Sequence, residues 1–157
     1  TAVGAPPVPG GDSVFFGRWA PEIAGLLAAG GVDARAVVRV ELQREIAVKL
    51  AWICVFGVLG GATGLVVGQV VERHLEDVRA LTHELHPLLA VQPGLDLSAV
   101  ELADRLVSYT ARIPHFPASV KEWRWRNGWV TSAAQRLRLP LPLHDRWLAQ
   151  AGGAPVG

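Results

Sequence analysis

The residues best placed to do chemistry are Lys49 and the run Ser119 to Gly128, SVKEWRWRNG. Lys49 stands at the mouth of a long apolar stretch. An ammonium in a partly dry cleft can donate a hydrogen bond or a proton to a carbonyl oxygen. The same lysine also fits a surface role, paired with Glu45 four residues earlier and reaching into water. In the second run, Glu122 precedes the pair Asn127-Gly128. The spacing there predicts an amphipathic helix from about Pro117 to Leu139, with Trp123 inward and Lys121, Arg124 and Arg126 in water. Aromatic residues alternating with basic ones also suit stacking on single-stranded nucleic acid. The cluster is short, however, and a formal net charge of +1 gives the chain no general pull toward phosphates. No metal site is expected. His83 and His86 stand three residues apart, whereas a zinc-peptidase helix needs four, and His74, His115 and His144 are scattered.

The elements that must position these residues follow from periodicity. Ser13 to Gly17 reads as a strand. A helix opens near Pro21 and stops at Gly30-Gly31. Ala34 to Val40 alternates and reads as a second strand. This strand–helix–strand piece is too small to bury both faces, so it reads as the edge of a larger sheet. From Glu41 the period becomes helical, with Leu42, Ile46, Leu50 and Ile53 on one face. Further helices follow through Leu85, from the Ser98–Glu101 capping box to Tyr109, and from His144 to Ala151.

Leu50 to Val71 carries no charge and is long enough to span a bilayer. Its glycines have the small-xxx-small spacing that suits close packing in lipid. The opposing reading is two buried core helices joined at Gly60-Gly61, because an amphipathic face runs straight into the segment. No Lys/Arg asymmetry across it sets an orientation.

The ordered set Phe16-Gly17-Arg18-Trp19, Lys49-Leu50, Glu84, Glu122, Asn127-Gly128 and Pro140-Leu141-Pro142 resembles the ketopantoate reductase (2-dehydropantoate 2-reductase) family in its C-terminal half. The resemblance runs from about Val14 to Leu148. It implies a mainly α helical bundle like the C-terminal domain of 6-phosphogluconate dehydrogenase, behind a β-α-β remnant of a Rossmann domain. It also implies a pantothenate-biosynthesis oxidoreductase, a homodimer, that reduces a small-molecule 2-oxo acid with NADPH. By the same resemblance Lys49 is the acid that protonates the 2-oxo group, and Glu122 orients the lysine and the substrate hydroxyl. Ser119 and Asn127 are the substrate-binding residues. The family commonly has asparagines four and eight residues after the lysine. Ile53 and Gly57 stand there instead, which implies a different substrate or an inactive site.

No Gly-x-Gly-x-x-Gly follows a strand, so the dinucleotide half is expected to be missing from this chain. The absence of methionine fits a piece of something larger, and Thr1 to Gly11 has no secretory character. The expected division is 1–40 as lead-in and cofactor-domain remnant, 41–151 as helical domain, and 152–157 as tail. With 157 residues, half of them apolar, the chain is long enough to bury a core. The lone Cys54 precludes an internal disulfide and favours a reducing, cytoplasmic compartment. Two other functions stay open beside the reductase: a non-catalytic helical dimerisation module, and a single-span membrane protein.

Overall fold

The computed structural model describes residues 13–153. The expected lead-in Thr1 to Asp12 and tail residues 154–157 lie outside them. The described chain begins with β1 (Ser13–Phe15), α1 (Ala20–Ala29) and β2 (Ala34–Ala36). The two strands pair in parallel, Val14 opposite Arg35, so the crossover helix closes a minimal β-α-β unit. Around it Phe16, Trp19, Ile23, Leu26 and Val38 remain exposed. The second strand is shorter than its alternation predicts, because the following helix captures Arg39 and Val40. Glu41 reaches back to accept the Val38 N–H, which starts that helix.

Among the described residues five further α-helices follow: α2 (Arg39–Thr63), α3 (Val67–Leu89), α4 (Ala99–Arg112), α5 (Asn127–Leu137) and α6 (Pro142–Gln150). The core is one cluster in which Val55, Phe56 and Leu59 of α2 pack among Leu81, Leu85 and Leu88 of α3, Leu102 and Leu106 of α4, and Val130 of α5. The Ser98 cap forms as its sequence predicts, with Glu101 N–H donating to Ser98 Oγ and the Glu101 carboxylate accepting from Ser98 N–H.

The apolar run is split into α2 and α3, and the break is not at Gly60-Gly61. It falls at Gly64, whose φ of +70° ends α2 in the left-handed region. By length and composition α2 could cross a membrane, yet 61% of its apolar window is buried inside the protein. Its small residues have a local partner. A Cβ placed on Gly60 would lie 2.5 Å from the Ala118 carbonyl oxygen, and one on Gly68 2.9 Å from that of Pro114. The glycines therefore form a bed for the backbone of residues 114–120.

That strap corrects the second expectation. No helix runs from Pro117. The strap is extended, Val66 and Pro117 form an antiparallel bridge, and the carbonyls of Phe116 and Pro114 accept the Val67 and Gly68 N–H groups. Two orphan donors at the start of α3 are satisfied this way. A helix over 117–126 would be too wide to lie on the glycine bed. A 3-10 turn, Trp123–Trp125, then leads into α5.

Candidate active site

Lys49 lies on the solvent side of α2, one turn before Trp52. Its Nζ donates to Tyr109 Oη on α4 at 2.7 Å. The ammonium also sits 4.6 Å from the Tyr109 ring centroid and 4.8 Å from that of Trp52, within cation–π range. Trp52 is itself fixed by its Nε1–H to Thr110 Oγ1 and by a ring contact with Phe56. The expected Lys49–Glu45 pair does not form. Glu45 accepts from Arg35 on β2 and from Arg105 on α4 instead.

Lys49 and Glu122 line one cleft of ≈ 550 Å³. Arg126 joins them there, at 2.8 Å from Glu122. Glu122 reaches the cleft from the turn after the strap, with φ +47°. Left-handed backbone at a non-glycine residue costs roughly 1–3 kcal/mol and gathers at functional sites. The walls are otherwise mostly apolar, with Leu42, Ile46, Leu50 and Ile53 from α2 and Trp125 from the turn. A smaller cavity of ≈ 210 Å³ shares Trp52, Ile53, Glu122 and Arg126, and adds Ser119 and Gly57.

The four residues singled out by sequence thus separate. Lys49 and Glu122 come together, and Ser119 is next door. Asn127 is only 1% exposed and lines neither cavity. Its Oδ1 lies 2.9 Å from Nε2 of the fully buried His144. In that arrangement Asn127 Nδ2 and His144 Nδ1 are both buried without a hydrogen-bond partner. Burial lowers the His144 pKa, with Asp145 and Glu84 opposing, so the neutral ring is favoured. Glu84 belongs to this buried cluster, not to the cleft: its two oxygens accept the backbone N–H groups of Leu143 and His144 and cap α6.

Sequence reasoning missed the roles of Tyr109, Arg126 and His144. Tyr109 lies sixty residues from the lysine it contacts, and no local spacing could signal the pair. Among the described residues no cluster of three metal-ligating side chains occurs. The turn from β1 to α1 holds one glycine, Gly17, and the Trp19 position that opens α1 makes no side-chain cap. A pyrophosphate needs several backbone amides in close approach, and this turn does not provide that cradle.

A β-α-β unit feeding a helical domain, with a lysine-bearing cleft beside their junction, is the class of architecture that the fold and site define. It is similar to a solved structure, the PanE/ApbA family ketopantoate reductase from Ralstonia eutropha JMP134, with a TM-score of 0.64 at 19% identity. The match covers 90% of this chain and 51% of that one, so the chain spans about half the length of the reductase it resembles. No family model and no curated protein matches the sequence.

Proposed function

We propose that this chain is the C-terminal, substrate-side domain of an oxidoreductase like ketopantoate reductase, with the helical bundle of the 6-phosphogluconate dehydrogenase C-terminal type. The observation that carries the reading is the convergence of Lys49, held by Tyr109, and Glu122 on one cleft. The substrate is a 2-oxo acid, ketopantoate or a relative, and the compartment is the cytoplasm. Lys49 donates its hydrogen bond to the 2-oxo oxygen and gives up a proton as the alcohol forms. Tyr109 holds the ammonium in place, so less ordering remains to be done when the substrate arrives. Glu122 acts through Arg126, which it holds at the cleft wall. NADPH, the reductant that the resemblance implies, supplies hydride chemistry when bound. The β1–α1 turn gives it no cradle, and the roles proposed for the residues of this chain are on the substrate.

The test is reduction of ketopantoate and other 2-oxo acids by the native polypeptide purified from its source, followed through NADPH consumption. Lys49→Ala should lower kcat by roughly 10²- to 10⁴-fold, as expected for loss of a general acid. Full activity without Lys49, or no reduction of any 2-oxo acid, sinks the proposal.

A second reading is a non-catalytic module that self-associates as a homodimer. It is favoured by Ile53 and Gly57 beside the cleft, which offer a substrate no side-chain hydrogen bond. It predicts a dimer by sedimentation and no binding of any 2-oxo acid.

A further inference from the structure

The cleft beside Lys49 is unlike a site for a hydroxylated ligand. Among the described residues Tyr109 is its one neutral side chain with a hydroxyl or amide group, and that hydroxyl accepts from Lys49 while keeping its own proton to donate. Two large apolar side chains stand open on its rim, Ile46 at 58% and Trp125 at 71% exposure. Ile53 and Leu50 continue the apolar wall inward. Each is left facing water unless something apolar covers it.

The charges are equally one-sided. Among the described residues both carboxylates that face the cleft are held by arginine: Glu45 by Arg35 and Arg105, and Glu122 by Arg126. Two cations face it, Lys49 and Arg126. Arg126 is largely shielded, at 24% side-chain exposure, and Glu122 is its one ion-pair partner among the described residues. A guanidinium has five N–H donors in a planar fork that matches a carboxylate. A single monodentate contact leaves most of them available. The Arg126 charge also reaches inward, where it opposes the effect of burial on the Cys54 thiol.

We infer that Arg126 is the carboxylate anchor of this cleft, and that the cleft selects 2-oxo acids with an aliphatic or aromatic side chain over hydroxylated ones. The inference rests on the 2-oxo acid reading above and deepens it. With the carboxylate on Arg126 and the 2-oxo oxygen on Lys49, the side chain lies against Ile46, Leu50, Ile53 and Trp125. A hydroxyl placed against that wall leaves water and meets few neutral partners, the Trp125 indole N–H and the Tyr109 O–H, which costs binding unless it reaches one of them. A cationic ligand is disfavoured, because both carboxylates are already neutralised.

The experiment is a calorimetric titration of the full 157-residue chain with three probes: ketopantoate, trimethylpyruvate and phenylpyruvate. Trimethylpyruvate is ketopantoate without its hydroxyl, so that pair isolates the polar group. Trimethylpyruvate and phenylpyruvate should each bind roughly tenfold or more tighter than ketopantoate. Arg126→Gln should weaken all three by about tenfold or more, and Arg126→Lys should restore part of the loss by keeping the charge. Trp125→Ala, at an exposed position, should weaken phenylpyruvate more than trimethylpyruvate, with an unchanged circular dichroism spectrum. Ketopantoate binding as tightly as trimethylpyruvate overturns the inference. So does Arg126→Gln binding like the wild type. If ketopantoate is preferred and its binding needs Lys49, only the selectivity fails and the oxidoreductase reading stands. If none of the three acids binds, both fail.

Discussion

Lys49 on α2 and Tyr109 on α4 are joined by a 2.7 Å hydrogen bond, and the lysine therefore does not reach Glu45 one turn away on its own helix. The choice has a physical cause. Glu45 is claimed by two arginines from other elements, Arg35 and Arg105. The faces of Trp52 and Tyr109 offer the ammonium a second, aromatic stabilisation. Two helices remote in sequence thus fix the orientation of the one lysine in the cleft.

Tyr109→Phe tests that link. The ring stays in its edge contact with Trp52, and only the hydroxyl is lost. The bond is exposed, so stability should fall by less than about 1 kcal/mol in urea denaturation. The released ammonium should show greater mobility by side-chain NMR of Lys49. An unchanged Lys49 signal would mean that the hydroxyl does not hold it.

Glu84→Ala removes both acceptors from the start of α6. The freed backbone donors of Leu143 and His144 are part-buried, and the expected loss is about 1–3 kcal/mol in the same assay. Glu84→Gln keeps one acceptor oxygen and should lose less. Glu84→Gln as stable as the wild type, with Glu84→Ala destabilised, would show that packing, not capping, is what Glu84 provides.

His144 makes stability fall with acid. Its pKa is lowered in the fold, chiefly by burial, from an ordinary value of 6.5. The unfolded chain therefore binds a proton that the folded chain resists. Stability from this group is complete above about pH 6.5 and declines as pH drops below it, by at most about 1.4 kcal/mol per pH unit. His144→Gln should reduce the slope between pH 6.5 and the folded pKa. A slope identical to that of the wild type would assign the acid sensitivity to other groups.

Gly60→Ala should cost about 1–3 kcal/mol or more, since the new Cβ would sit 2.5 Å from the Ala118 carbonyl oxygen. Gly25→Ala on α1 meets nothing within 4 Å, and should instead gain about 0.5–1 kcal/mol from helix propensity. Opposite signs in thermal melts support the glycine bed, and a neutral Gly60→Ala removes it.

The sequence by itself determined the local grammar of this protein. The two strands and their crossover helix, the helical period from Leu42 onward and the Ser98–Glu101 cap are all written in spacings of two to four residues. Such signals act within one turn or one strand, so they survive any tertiary context that does not compete with them. The resemblance that pointed to Lys49 and Glu122 rests on the order of residues along the chain, and it led to two that share a cleft. The tertiary structure decided what those spacings could not. The run from Pro117 has a helical pattern, yet it lies extended, because the glycines of α2 and the unsatisfied N–H groups of α3 offer its backbone a better place. The same packing broke the apolar run at Gly64 rather than at Gly60, which is committed to Ala118. It also buried Asn127 against His144, and set Arg126 and Tyr109 beside Lys49. Each of these outcomes depends on contacts between residues far apart in the chain, where close packing and hydrogen-bond satisfaction outweigh local propensity.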